Sequence, residues 1–425
     1  MKSTRTISTA LCLTVCILLT ALTGSLTGCT AIRSHSLSEP YNRTATEQGA
    51  VTDPFVAAMA DFSMSLTQTT LAMESEGKAN HLISPLSAMI CLAMLANGAE
   101  GETLAQMETA LGMPIDELNE SLYAYTQGLY VGEDCKVSLA DSIWYRDAER
   151  LTVKEDFLQT CADWYAAQQY ATPFDETTRK DINNWVKKYT DGMIDTMLDD
   201  PIPPDTVMYL INALVFDAKW LVEYEKTAIE KREFTSLDGQ AARVDTLHSD
   251  ESTYLTLEGG QGFARPYKGG QYSFVGLLPD QGVNVYDLAA TLDGAAWMAM
   301  WAERCTTTVR VRIPEFSYES FIPLRPVLEE MGITHLFDPD LADLTGMATS
   351  SAGNIYCSAV YQKTYIEVNR RGTKAAALTW AENKDCASPD VAEVRYVYLD
   401  RPFIYAIVDN QTGLPLFVGV VTVLS

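Results

Sequence analysis

The chain has 425 residues, 47% of them hydrophobic, enough to bury the core of one large domain or two ordinary ones. Its formal net charge of −25 argues against nucleic acid as a partner and for a soluble, acidic surface. Enzyme chemistry is poorly supported: no P-loop, G-x-S-x-G elbow, H-E-x-x-H or G-x-G-x-x-G is present, and the four histidines lack metal-ligand spacing.

The N-terminus carries Lys2 and Arg5, then the apolar run ALCLTVCILLTALTGSL, then LTGC ending at Cys29. A short positive region, an apolar core and small residues form a secretory signal rather than a spanning helix. The LTGC stretch resembles a bacterial lipoprotein box, in which cleavage precedes the cysteine and a lipid is attached to it. That resemblance implies a signal over residues 1–28, lipid on Cys29 and a chain exported and anchored at the cell surface; an ordinary signal would release it as a secreted soluble protein. The following TAIRSHSLSEPYNRTATEQGAVTD is polar and aperiodic, so residues 29–52 are expected to be a flexible tether. Residues 53–425 are expected to be a single domain.

Within that domain, SPLSAMICLAMLANGAEGET has a cap at Ser84, a first-turn proline at Pro85 and a stop at Gly98. Being apolar nearly all round, it predicts a buried helix. INNWVKKYTDGMI puts Ile182, Trp185, Val186 and Tyr189 on one face of a surface helix. VMYLINALVFDAKW is a long apolar run with one asparagine and suits a central strand buried on both faces. TVRVRIPEF alternates as a strand, and SFVGLLPD, RPFIYAIVD and LPLFVGVVTV are further strands ended by turn residues. Helices dominate the first half and strands the second, an α+β pattern.

Of nine cysteines, Cys12 and Cys16 lie in the signal and Cys29 is the lipid candidate. The other six could pair in an exported protein, though Cys91 and Cys161 sit in helical patterns that suit buried free thiols. One stretch has no conventional role: RRGTKAAALTWAENKDCASPD, from Arg370 to Asp390. As a strand it places Thr373, Ala375, Ala377 and Thr379 on one face, all small, with Lys374 opposite. Gly372 before them tolerates unusual backbone angles and could act as a hinge.

Taken in order, these stretches resemble the serpin family, from about Phe55 to Ser425. The Ser-Pro helix, the INNWVKKYTDGMI helix, the strand with Asn212 and Trp220, the segment IEVNRRGTKAAA and the C-terminal DRPFIYAIVDNQTGLPLFVGVV each match a family stretch. The resemblance implies a large, mainly antiparallel central sheet with further sheets, about eight or nine helices, and an exposed reactive-centre loop over about 370–394. It implies an inhibitory member, monomeric and without cofactor or metal, that traps serine proteases. The protease attacks the loop, forms an acyl-enzyme and is carried across the molecule as the cut loop enters the sheet.

By the same resemblance, Gly372, Thr373, Lys374, Ala375, Ala376, Ala377, Leu378 and Thr379 form the hinge. Ser84, Ser87, Asn212 and Gln362 form the cluster beneath the sheet opening, with Gln362 where the family usually has histidine. Glu315, Arg370 and Trp220 form a latch at the top of the sheet. The family usually has an acidic residue at Arg370 and a basic one at Glu315, so both signs are reversed and a swapped salt bridge is expected. The family's spacing from the hinge puts the cleaved bond at Cys386–Ala387, and counting back from Arg401–Pro402 lands nearer Ser388. Cys386 suits an elastase-like or subtilisin-like protease, and Lys384–Asp385 is the alternative for a trypsin-like one. A non-inhibitory binder or plain substrate, and an inhibitor of papain-like cysteine proteases, are the other readings.

Overall fold

The computed structural model describes residues 32–46, 49–73, 79–129, 132–147, 151–204, 206–351, 353–373 and 394–425. Nine α-helices lie among them: α1 (Asp53–Met73), α2 (Pro85–Ala96), α3 (Gly101–Leu111), α4 (Ile115–Gly128), α5 (Glu155–Tyr165), α6 (Glu176–Tyr189), α7 (Val285–Thr291), α8 (Gly294–Ala302) and α9 (Leu324–Glu330). None of the described helices is long and apolar enough to cross a membrane.

The helix expected from the Ser-Pro punctuation is α2. Ser84 is extended at the N-cap, its hydroxyl accepts the Ser87 N–H, and Pro85 occupies the first turn, where its missing N–H costs nothing. All twelve of its residues are buried, so its uniform apolarity is the sequence of a helix surrounded on every side. By contrast, α6 buries one stripe, Ile182, Trp185 and Val186, and is started by a capping box between Asp175 and Thr178.

A seven-stranded sheet contains β1 (His35–Ser36), β5 (Gln168–Thr172), β3 (Cys135–Arg146), β6 (Met208–Lys219), β14 (Ala359–Val368) and β12 (Phe316–Pro323) in that spatial order, with β15 (Gly372–Thr373) also on β6. Only the β3–β5 and β6–β14 pairings are parallel. The second sheet runs β16 (Arg395–Tyr398), β11 (Cys305–Pro314), β8 (Ala241–Leu257), β9 (Gly260–Pro266), β10 (Tyr272–Pro279), β17 (Phe403–Asp409), β18 (Pro415–Val421) and β2 (His81–Ile83), with β7 (Ile229–Thr235) on β8. A small third sheet joins β4 (Leu151–Val153) to β13 (Ala348–Ser350).

Strand β6 is buried on both faces, as its apolar run requires. Leu210, Leu214, Phe216 and Ala218 enter the main core with α2, whereas Tyr209 and Ile211 join Trp144 and Trp185 in a second core beneath α6.

The segment expected to be a tether is docked where it is described. His35–Ser36 pairs with β5, and Asp181 on α6 accepts hydrogen bonds from the Arg33 N–H, the Ser34 N–H and the Ser34 hydroxyl. Arg43 lies 3.5 Å over the Tyr123 ring and bonds the Asp163 carbonyl. Composition gave no sign of this, because the contacts are made by backbone groups, polar side chains, an aromatic ring and the isolated Ile32 and Leu37 rather than by an apolar stripe.

The candidate functional site at the parting of two strands

The parallel ladder between β6 and β14 is short. It runs from Ala359↔Tyr209 to Gln362↔Asn212 and ends there, although β14 continues to Val368 and β6 to Lys219. Above that point β14 remains paired with β12, and β6 with β3, on their other edges. At the far end of β6, Gly372 and Thr373 pair antiparallel with Lys219 and Ala218. Two neighbouring strands thus part above Asn212, and the first two hinge residues sit at the top of the opening.

The structure brings Ser84, Ser87, Asn212 and Gln362 together at the fork. Gln362 Nε2 donates to the Ser84 carbonyl and its Oε1 accepts the Ser84 N–H, both at 2.9 Å. The Ser84 hydroxyl donates to the Leu416 carbonyl at 2.9 Å, tying the start of α2 to β18. Asn212 Nδ2 donates to the Ser87 carbonyl at 3.2 Å and to the carboxylate of Asp141 on β3. All five residues are buried. Sequence reasoning missed Asp141: in VSLADSIW it is one of three polar residues, and only the Asp141↔Asn212 register places it in the cluster. Burial pushes its carboxyl up to about 7, against a weaker downward pull from Asn212.

Residues Asn369–Gly372 form a tight turn at the top of the sheet, where Asn369 and Gly372 exchange both backbone hydrogen bonds. Trp220 holds it: its N–H donates to the Arg371 carbonyl, and its indole Nε1 donates to the Asn369 carbonyl at 2.9 Å. The indole stacks on Tyr267 at 4.7 Å, and the Arg265 guanidinium lies 5.0 Å over its ring. The Tyr224 N–H donates to the Arg370 carbonyl.

Glu315 joins this turn differently from the expected salt bridge. Its Oε1 accepts the backbone N–H of Arg370 at 2.7 Å, and among the described contacts no ion pair joins its carboxylate to the Arg370 guanidinium. A backbone donor serves whatever side chain stands at 370, which is how the pair of sign changes is accommodated. Burial raises the Glu315 carboxyl, and the bond from Arg370 pulls it partly back.

Gly372 has φ +140, and a Cβ there would lie 2.6 Å from the Ala218 carbonyl oxygen and 2.7 Å from Lys219 Cα and Trp220 N. Only glycine fits this approach of one backbone to another. Lys374, Ala375, Ala376, Ala377, Leu378 and Thr379 lie outside the described residues, as do Lys384, Asp385, Cys386, Ala387, Ser388 and Cys29. Cys91, Cys135, Cys161 and Cys357 are buried free thiols, and Cys305 is disulfide-bonded. Among the described residues no cluster of side chains could hold a metal ion.

The family model for serpins, serine protease inhibitors, matches residues 57–423. The chain belongs to the serpin family. The thermophilic serpin Tengpin in its native state superposes with a TM-score of 0.85 at 41% identity, covering 92% of this serpin and all of that chain. Serpin-ZXA of Oryza sativa subsp. japonica is 30% identical over 80% of this serpin and 89% of its own length. Plasminogen activator inhibitor 1 of Neovison vison is 29% identical over 80% and 86%. In this serpin, β6 and β14 part above Asn212, and Gly372 and Thr373, the first residues of the expected hinge, pair with the far end of β6.

Proposed function

We propose that this serpin inhibits serine proteases as a suicide substrate, taking its cut loop into the seven-stranded sheet between β6 and β14. The observation that carries the reading is the register of Gly372 and Thr373 on Lys219 and Ala218. Continued in step, Lys374 to Leu378 would pair with Asp217 to Ala213, the stretch of β6 that lacks a neighbour in β14. Those five residues enter without breaking a ladder pair. Thr379 would then arrive opposite Asn212, where the first β6–β14 pair must give way.

Continued, that register would put positions 373, 375, 377 and 379, filled by Thr373, Ala375, Ala377 and Thr379, on the face shared with Ala218, Phe216, Leu214 and Asn212, toward the main core. Small side chains there need little prepared space, and none carries a charge to desolvate. Lys374 would fall on the opposite face.

In the chemical step, the protease serine oxygen attacks the carbonyl carbon of Cys386. The bond to the Ala387 nitrogen breaks, that nitrogen leaves as a protonated amine, and an ester joins protease to inhibitor. Insertion must outrun attack of water on that ester. Cys386 suits an elastase-like or subtilisin-like pocket. We further propose that Cys29 carries a lipid and anchors the serpin at the cell surface, on the strength of the LTGC stretch.

Incubation with subtilisin, elastase, trypsin and papain, followed by denaturing electrophoresis and mass spectrometry, tests the reading. A stable complex with a serine protease and release of a peptide beginning at Ala387 are expected. Complete cleavage without any complex would instead make this member a plain substrate. A complex with papain alone would shift the target class to cysteine proteases.

A further inference from the structure

Asp141, Asn212 and Gln362 form one row across β3, β6 and β14, at the pair where the last two strands part. Asp141 faces the core with only 6% of its surface exposed, and none of the described residues forms an ion pair with it. Among the described residues, the groups around it offer no balancing charge. From α2 comes Cys91, with Cys357 behind it; from α5 comes Tyr165; burial raises all three above their usual range, so they stay neutral. Asp141 also borders a cavity of about 390 Å³, lined from the N-terminal segment by Arg43, from α4 by Tyr123 and from α5 by Asp163 and Tyr165. Among the described lining residues the cation is Arg43, which is engaged by the Tyr123 ring and the Asp163 carbonyl.

The row also holds unpaired polar atoms. Asn212 Oδ1 and Ser87 Oγ are buried without a partner, while Asn212 Nδ2 is shared between the Asp141 carboxylate and the Ser87 carbonyl. A carboxylate can only accept, whereas a neutral carboxyl adds one donor to this set. The charged form is therefore disfavoured by desolvation, with no described ion pair to offset it. Parting β6 from β14 at Asn212 admits water, which relieves the charged form far more than the neutral one.

We infer that the protonation state of Asp141 sets how readily the sheet opens at Asn212 and Gln362: the closed fork holds when the carboxyl is neutral and loosens when it is charged. The titration falls in the range between acid and neutral surroundings, consistent with the raised carboxyl. Gln362 cannot titrate there, so the pH response resides on β3 rather than on β14.

The inference rests on the insertion reading above, and its test separates the two. Uptake of a synthetic peptide copying residues 373–382 is followed by native electrophoresis from pH 5.5 to 8.5, alongside the melting temperature. In the wild type, uptake should quicken about tenfold across that range, the effect of one pKa unit between closed and open forms. The melting temperature should fall by about 3 °C. Asp141→Asn should flatten both profiles, and Asp141→Ser serves if that variant folds poorly. Equal profiles in wild type and variants would overturn the inference. If no peptide enters at any pH, the insertion reading fails, and the melting profiles alone then decide whether Asp141 governs the closed fork.

Discussion

The Glu315 carboxylate accepts the backbone N–H of Arg370 rather than its guanidinium. The latch at the top of the sheet therefore depends on one acidic side chain and a main-chain donor. Glu315→Ala leaves a partly buried N–H without its charged acceptor and should cost about 1.5–3 kcal/mol. Arg370→Ala leaves the bond in place and should cost about 0.5 kcal/mol or less. Urea melts of the two variants and their double check this. Near-additive costs are expected, and a coupling above about 1 kcal/mol would restore the side-chain salt bridge as the dominant contact.

Gly372→Ala asks for a Cβ where the backbone of Ala218, Lys219 and Trp220 already stands. The neighbouring atoms are main chain at the paired end of β6, so they cannot step aside as a flexible side chain would. The turn should instead lift Gly372 and Thr373 off β6. Amide exchange at Trp220, whose N–H is held by the Arg371 carbonyl, should then speed up at least about tenfold. More of the variant should be cleaved as substrate for each protease trapped. Unchanged exchange at Trp220 would show that the turn absorbs the methyl group.

The elements legible in the sequence were those whose signal is local. Ser84 and Pro85 start α2, and the Ile182, Trp185 and Val186 stripe marks α6. The fork was legible only through the family resemblance, because a ladder that stops at Asn212 is a relation between strands about 150 residues apart. Neither Asp141 nor Asn369 carries a local signal, since each acquires its role from register and from a turn. The docked segment around Ser34 was hidden for the same reason, being held by hydrogen bonds that polar composition does not advertise.

Gln362→His should place a titratable group at the fork with a pH response opposite to that of Asp141. A buried imidazole is easier to keep neutral than charged, so its pKa falls below the ordinary 6.5. The unfolded chain then binds more protons than the native one between the depressed value and 6.5. Stability from this site is present above 6.5 and is lost as pH falls through the depressed value. The variant should therefore melt close to the wild type at pH 8 and several degrees lower at pH 5. A parallel pair of melting curves across that range would mean that the imidazole reaches solvent or finds an anion at the fork.

Asp181 is 2% exposed, and a single oxygen of its carboxylate accepts three hydrogen bonds, two from main-chain N–H groups of Arg33 and Ser34 and one from the Ser34 hydroxyl. These bonds fix the N-terminal segment to α6, beside the edge where β1 pairs with β5. Charge-assisted bonds of this kind are worth about 1.5–3 kcal/mol, more than a two-residue strand supplies by itself. Asp181→Ala should release the segment, and trypsin should cut after Arg33 at least tenfold faster, a change of about 1.4 kcal/mol or more in local opening. Asp181→Asn keeps an acceptor but loses the charge, and should fall between the two. Cleavage after Arg43 should respond less, because the Tyr123 ring and the Asp163 carbonyl hold that side chain independently. Equal acceleration at both arginines would mean that the segment detaches as one unit and that Asp181 is its sole anchor.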